Sequence, residues 1–343
     1  MLFANKSALA DAGYALPCSD WPAHRRAVAR LVRRDADAPD RSPADASPRD
    51  AWDRLVGEVQ GSGAHTALLS AEQLSGVGAS AIRALVRSFA PAEAHVVYTA
   101  RNLAAAVPAG WQTRLRNRTA PTWREFCDAV REPGGPSSLG GAFWQHQDPA
   151  AVLLRWLRHV PPERVHVVTV PPAGSDPGVL WRRFCAATGL RADAYSLDVP
   201  RSNTSLGGVE AEVLRRLTAQ VVGRLPPPLY TDLVKFFVAR EVLERRDQSF
   251  RLVLPADEHS WLAPRAQQAI DYLRAGGFDV QGDLDELVPA PVPSSRRPDD
   301  VDETAVAALL TEVLALTLVE MGRRQGDVRW TGARSVDVED AGD

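Results

Sequence analysis

Three stretches place chemically capable side chains where an α/β fold would use them. The first is His95-Val96-Val97-Tyr98, an apolar run that reads as a buried strand, followed by the strand-to-helix turn Thr99-Ala100-Arg101-Asn102. That order leaves Arg101 at a strand's carboxyl end, the edge at which open α/β sheets bind ligands. From Arg101 to Arg118 stand four arginines (Arg101, Arg114, Arg116, Arg118) and no acid. A concentrated positive field suits phosphate or sulfate, which a guanidinium grips with paired hydrogen bonds. The plainer alternative has Arg101 capping the sheet and the other three on a solvated helix face.

The second stretch is the short strand His65 to Leu69, which ends in Ser70-Ala71-Glu72-Gln73. Glu72 at that place suits a general base, and equally a cap on the following helix. The third is the loop Arg201-Ser202-Asn203-Thr204-Ser205-Leu206-Gly207. The seven histidines show neither HxxxH nor HxH spacing, so no metal site is expected. His95 and His166 fall at strand starts and read as structural. His146 alone sits in a polar loop context. Cys18, Cys127 and Cys185 are widely spaced and odd in number, which fits buried thiols rather than a zinc pair or a disulfide framework. There is no GxSxG elbow, no GxGxxG after a strand and no GxxxxGK[ST].

The elements that position these residues alternate. Helical spacing over 2–13, with Gly13 as its C-cap, precedes a basic helical stretch at 22–34 and a polar loop at 35–49. A helix over 50–60, the strand 65–69, a helix over 79–89 and the strand at 95–98 give the rhythm of a parallel sheet. Helical segments follow between Trp111 and Val130, broken at Pro121, and over 149–159. The strand Val165 to Val170 ends in Pro171-Pro172, and helices are predicted over 178–188, 209–222, 231–245 and 262–275. Leu252-Val253-Leu254 reads as a strand. A final helix over 302–323 carries Val306, Leu309, Leu310, Val313 and Leu316 on one stripe, the spacing of a helix docked on its own domain.

Length and charge bound the function classes. A chain of 343 residues has material for one large α/β domain with appendages. The net charge of −3 offers no global field for nucleic acid or an anionic membrane. The apolar runs are shorter than a membrane span, and no secretory signal opens the chain, so the expected location is the cytoplasm.

In order and spacing, the Arg101-Asn102 turn, the Phe143-Trp144 segment, the 165–170 strand with its Pro-Pro ending and the 201–207 loop resemble the bacterial sulfotransferase-like proteins. These are relatives of enzymes that use 3′-phosphoadenylyl sulfate (PAPS). The resemblance runs over residues 1–289, with 290–300 as a linker, 301–324 as a C-terminal helix and 325–343 as a disordered tail. It implies a P-loop NTPase-like α/β fold: a parallel sheet flanked by helices, its first strand missing or degenerate, with a helical C-terminal extension. It implies that Arg101 binds the donor's 3′-phosphate and that Arg201 and Ser205 close on the same group. It implies PAPS as donor, no metal, Glu72 as base, and a hydroxyl acceptor that is a small molecule, glycan or lipid. The serine that normally assists the strand-end arginine is Ala109 here. The family's opening strand and Lys-x-Gly-Thr-Thr-like loop have no counterpart before the helix at Leu2, and Lys6 lies inside that helix. Either the natural start lies upstream of Met1, or this is a degenerate member and a non-enzymatic binding or scaffold protein.

Overall fold

A computed structural model describes residues 1–36, 51–198, 205–290 and 296–325. Most of the loop expected at 35–49, Arg201, part of the 290–300 linker and the tail from 326 lie outside the described residues.

The chain opens with a 3-10 turn and α1 (Lys6–Asp11). Gly13, at φ 82°, then turns it into a short strand, β1 (Tyr14–Ala15). Next come α2 (Trp21–Ala36), α3 (Ala51–Gly61), β2 (Thr66–Ala67), a 3-10 segment (Glu72–Gly76) and α4 (Ala79–Ser88). The central stretch holds β3 (Val96–Ala100), α5 (Leu103–Arg116), α6 (Trp123–Arg131), α7 (Leu139–Gln147), α8 (Pro149–Trp156), β4 (Val165–Thr169) and α9 (Gly178–Thr188). The last part holds α10 (Gly208–Val221), α11 (Pro227–Tyr230), a π-helix (Thr231–Leu243), α12 (His259–Ala275), β5 (Asp279–Gln281) and α13 (Glu303–Gln325).

The architecture is α/β, with every strand pair parallel. β1 pairs with β2, and a second sheet has the order β3-β4-β5. The apolar strand signals at 95–98 and 165–170 correspond to β3 and β4. Leu252-Val253-Leu254 is not a strand: the ladder there is a single antiparallel bridge between Gly207 and Arg251, and Leu252 and Leu254 are buried as loop anchors. β1 and β5 carry too few apolar residues to show as strands in the sequence.

The described residues gather into two compact units, each built from several chain segments. Unit 1 comprises Met1–Trp111, Thr122–Ser202 and Val253–Arg296, and holds both sheets. Its main core joins Val28 of α2, Trp52 of α3, Ile82 of α4 and Leu153 of α8 to Val165 and Val167 of β4. Branched side chains on β4 are buried on both faces of the sheet, as in parallel sheets covered by helices. Leu9, Tyr14, Leu68, Trp181 and Cys185 form a second cluster beside β1 and β2.

Unit 2 comprises Gln112–Pro121, Asn203–Leu252 and Arg297–Asp343, and is helical among its described residues. Gln112 clamps Leu206 from both sides, donating to its carbonyl (3.0 Å) and accepting from its amide (2.9 Å). The buried Tyr230 hydroxyl donates to the Leu115 carbonyl (2.9 Å) and accepts from Thr218 (2.9 Å). The π-helix buries Val234, Val238 and Val242, four residues apart, a spacing close to its wider turn. Long π-helices are rare, because most π geometry occurs as single-turn bulges.

α13 is long enough to cross a membrane over the 22 residues Glu303–Arg324, and its most apolar 18-residue window has mean hydropathy 1.8, which by length and composition alone would suffice. Thr311, Glu312 and Thr317 break its apolar runs without lowering the average far. Its stripe is also shorter than expected. Val306, Leu309 and Val313 are buried, whereas Leu316 is exposed.

Candidate functional site

The carboxyl ends of β3, β4 and β5 meet the loops that carry the polar groups of unit 1. β3 ends at Ala100, so Arg101 stands one residue beyond it, exposed, directly before α5. Asn102 caps that helix by accepting from the Ala104 amide (2.9 Å). Its amide group donates to the Val288 carbonyl (2.8 Å) and the Glu286 carbonyl (3.3 Å), tying the loop after β5 to the end of β3. The first turn of α5 contains no acid, so the helix's positive end adds to the Arg101 charge.

At the end of β4 a second arginine is held in a dense polar knot. Arg183 of α9 grips Glu286 with both terminal nitrogens (2.6 and 2.8 Å) and also donates to the carbonyl and hydroxyl of Thr169 (2.9 Å each). The Thr169 hydroxyl in turn donates to Glu286 (2.7 Å). Hydrogen bonds from Arg183 hold the Glu286 carboxyl below its ordinary range. Gly282, at φ 113°, lets the chain leave β5 here, because a Cβ at that position would stand 2.1 Å from the Thr169 hydroxyl.

Beside Arg101 lies a cavity of about 10 Å³, lined in part by Tyr98, Leu103, Gln147, Pro149 and Leu287. That volume holds about one water molecule. Burial of the Tyr98 hydroxyl, with Asp148 nearby, pushes its phenol well above the usual range, so it stays a neutral donor. The edge as described can hold an anionic group at its surface.

Glu72 opens the 3-10 segment after β2, is exposed, and is not among the residues lining the Arg101 cavity. Its carbonyl accepts from the Ser75 hydroxyl (2.7 Å), and that hydroxyl also meets His146 Nδ1 (2.7 Å). A serine has one hydroxyl proton and the Glu72 carbonyl can only accept. Ser75 therefore donates to Glu72, and His146 Nδ1–H donates to Ser75. In this arrangement His146 fixes the segment and does not activate Ser75 as a nucleophile.

Lys6 donates to the Cys18 carbonyl, at the loop between β1 and α2. Cys18 takes φ 72°, a left-handed conformation unusual for a side-chain-bearing residue, and its amide donates to Glu58 (2.7 Å). Next to it His24 is fully buried. Its Nδ1–H donates to the Pro17 carbonyl (3.1 Å) and its Nε2 accepts from the Ser70 amide (3.1 Å), which fixes the neutral tautomer. Burial is the largest of the influences that lower the pKa of His24, and the Pro17 carbonyl opposes it only in part. A base with a depressed folded pKa contributes stability above its unfolded value of about 6.5, and that contribution is lost as pH falls toward the folded value. Urea midpoints are accordingly expected to fall as pH drops below about 6.5, with the slope reduced in His24→Gln. A wild-type slope unchanged by that substitution would contradict this assignment.

Ser205 is exposed and belongs to unit 2, beside the clamped Leu206, while Arg101 belongs to unit 1. Arg201 lies outside the described residues. The structure thus places Arg101 at a strand end and Glu72 in the 3-10 segment after β2. Arg183, Thr169, Glu286 and Tyr98 were not read as site residues. Glu286 sits in an acidic run, and only recognition of β5 would have marked it as a strand-end residue.

At the opposite end of the second sheet, His95, just before β3, His166 of β4 and Asp279 of β5 form a chain of contacts. His166 bonds both Asp279 (2.7 Å) and His95 (3.0 Å). Among the described residues no group of three or more His, Cys, Asp or Glu is placed to hold a metal ion. No family model, curated protein or solved structure matches this chain.

Proposed function

We propose that unit 1 is a sulfotransferase-like module that binds a phosphate-bearing ligand at the carboxyl edge of β3. In this reading Arg101 takes a nucleotide 3′-phosphate. One observation carries it: an exposed arginine stands between the end of a parallel strand and the acid-free first turn of a helix. Guanidinium charge and the helix's positive end act on the same point, which favours a multiply charged anion. A P-loop-type sheet and the PAPS donor come with the family resemblance.

The donor site that this resemblance implies does not fit the residues throughout. The cavity beside Arg101 holds about one water, and Glu72, in the 3-10 segment after β2, is not among the residues that line it. These two facts favour the binding-protein form of the proposal over the enzymatic form. The enzymatic form would pass a sulfuryl group from PAPS to a small-molecule, glycan or lipid hydroxyl, with Glu72 receiving the proton.

Calorimetry with 3′,5′-ADP tests the binding step. Arg101→Ala is expected to weaken binding roughly 10- to 100-fold, the worth of one or two charge-assisted hydrogen bonds. Absence of any heat with wild-type protein at millimolar nucleotide would overturn the proposal. Sulfuryl transfer from labelled PAPS that is lost in Glu72→Gln would select the enzymatic form, and binding without transfer the other.

A further inference from the structure

α13 has two apolar sides, and the described residues of unit 2 cover one of them. On the inner side Val306, Leu309 and Val313 are buried as the helix packs on α10 and the π-helix. Its charges on and near that side are paired: Glu303 with Arg216, Glu312 with Arg246, and Arg324 with both Glu320 and Asp232. The outer side is different. Leu314, Leu318 and Val319 are 59%, 60% and 69% exposed, and Met321 is 40% exposed. Soluble proteins seldom leave contiguous apolar surface of this kind without a use for it.

The pattern on that side is regular. Ala307, Thr311, Leu314, Leu318 and Met321 recur at alternating intervals of four and three, the spacing of a seam between two helices. Ala308, Ala315, Val319 and Gly322 flank the seam, and none of these positions carries a charge. The small residues Ala307, Ala308 and Thr311 at one end allow close approach, while the leucines and Met321 at the other supply bulk.

We propose that this face is a homodimer interface, in which α13 of one copy packs against α13 of a second in an isologous pair. A seam without charge meets its own copy without like-charge repulsion, which is the requirement for a two-fold contact. Covering Leu314, Leu318, Val319 and Met321 in both copies removes less than about 1,000 Å² from water, the size range of a weak, reversible contact. The surroundings disfavour a lipid surface. Asp299, Asp300, Asp302 and Glu303 crowd the amino-terminal end of the helix. Arg323 and Arg324, the basic residues of α13, are tied to Glu320 and Asp232. Interfacial helices instead present free Lys and Arg on their polar side. Crossing a bilayer would also require breaking the ion pairs that dock the inner side.

Sedimentation of the full chain from about 1 to about 100 µM tests the proposal. A dimer is expected for wild-type protein, and a monomer for the double variant Leu314→Glu, Leu318→Glu, with circular dichroism unchanged because both positions are exposed. Should the double variant fail to fold, Ala315→Arg at the seam's flank is the second probe, with the same expectation. A wild-type monomer throughout the range would overturn the proposal, as would a dimer that survives these substitutions. Flotation of a wild-type monomer with vesicles of phosphatidylcholine and phosphatidylglycerol would overturn it in favour of a membrane surface.

Discussion

Gly140→Ala is expected to lower the unfolding free energy by about 3 kcal/mol or more, the upper range of overpacking. A Cβ at Gly140 would lie 1.7 Å from the Ala129 carbonyl oxygen and 2.6 Å from its carbon. Both are backbone atoms of α6, so no rotamer change relieves the clash and α6 and α7 must separate. Neither helix is free to move. α6 starts in a reciprocal cap between Thr122 and Glu125 and buries Phe126, Cys127 and Val130. α7 is capped by Ser138, and its Trp144 indole donates to the Val130 carbonyl (2.8 Å). Total stabilities are only about 5–15 kcal/mol, so the variant should unfold at markedly lower urea or fail to accumulate. Gly135→Ala, where nothing lies within 4 Å of the added atom, serves as the control and should be near neutral. A Gly140→Ala midpoint equal to that of Gly135→Ala would show that the helices can separate cheaply.

Arg183→Ala should rank second, at about 2–3 kcal/mol, below the range for a fully buried pair because both side chains keep some contact with water. Arg183 and Glu286 are 18% and 20% exposed. Removal of the arginine leaves a mostly buried carboxylate with the Thr169 hydroxyl and the Asp283 backbone as donors. The effect has a pH signature. Arg183 depresses the Glu286 pKa, so the pair's contribution is complete above the unfolded value of about 4.3 and is lost as pH falls through the folded value. Urea titrations at pH 7 and pH 3 should therefore show a smaller difference between wild type and variant in acid. An equal difference at both values would mean that the arginine acts through packing alone.

Part of this molecule was legible in the sequence. β3 and β4 were visible because His95 to Tyr98 and Val165 to Val170 are compact apolar runs, and their positions fixed Arg101 at a strand end. β2, though only two residues long, falls inside the strand read at 65–69, whereas β1 has two residues, too few for any periodicity. β5 is Asp-Val-Gln, with one apolar residue, and is a strand because β4 offers it a ladder. The helix at 231–243 was legible as a helix, but its π geometry was not, since buried valines four apart suit either winding. Arg183 was invisible as a site residue because Trp181-Arg182-Arg183 reads as the wet side of a helix. Its partner Glu286 comes from more than a hundred residues later, and local pattern carries no information about such a pairing.

The way the two units share the chain bears on how the protein is made. Unit 1 is not complete until Val253–Arg296 has been synthesised, and unit 2 not until Arg297 and beyond. β3 and β4 leave the ribosome well before β5, so the three-stranded sheet waits with one edge unpaired and Arg183 without Glu286. Such late, long-range closure slows folding and leaves a strand edge open to other chains in the interval. Neither unit can be cut out as a continuous fragment, and a stalled or truncated product ending before residue 279 would lack the strand that finishes the sheet.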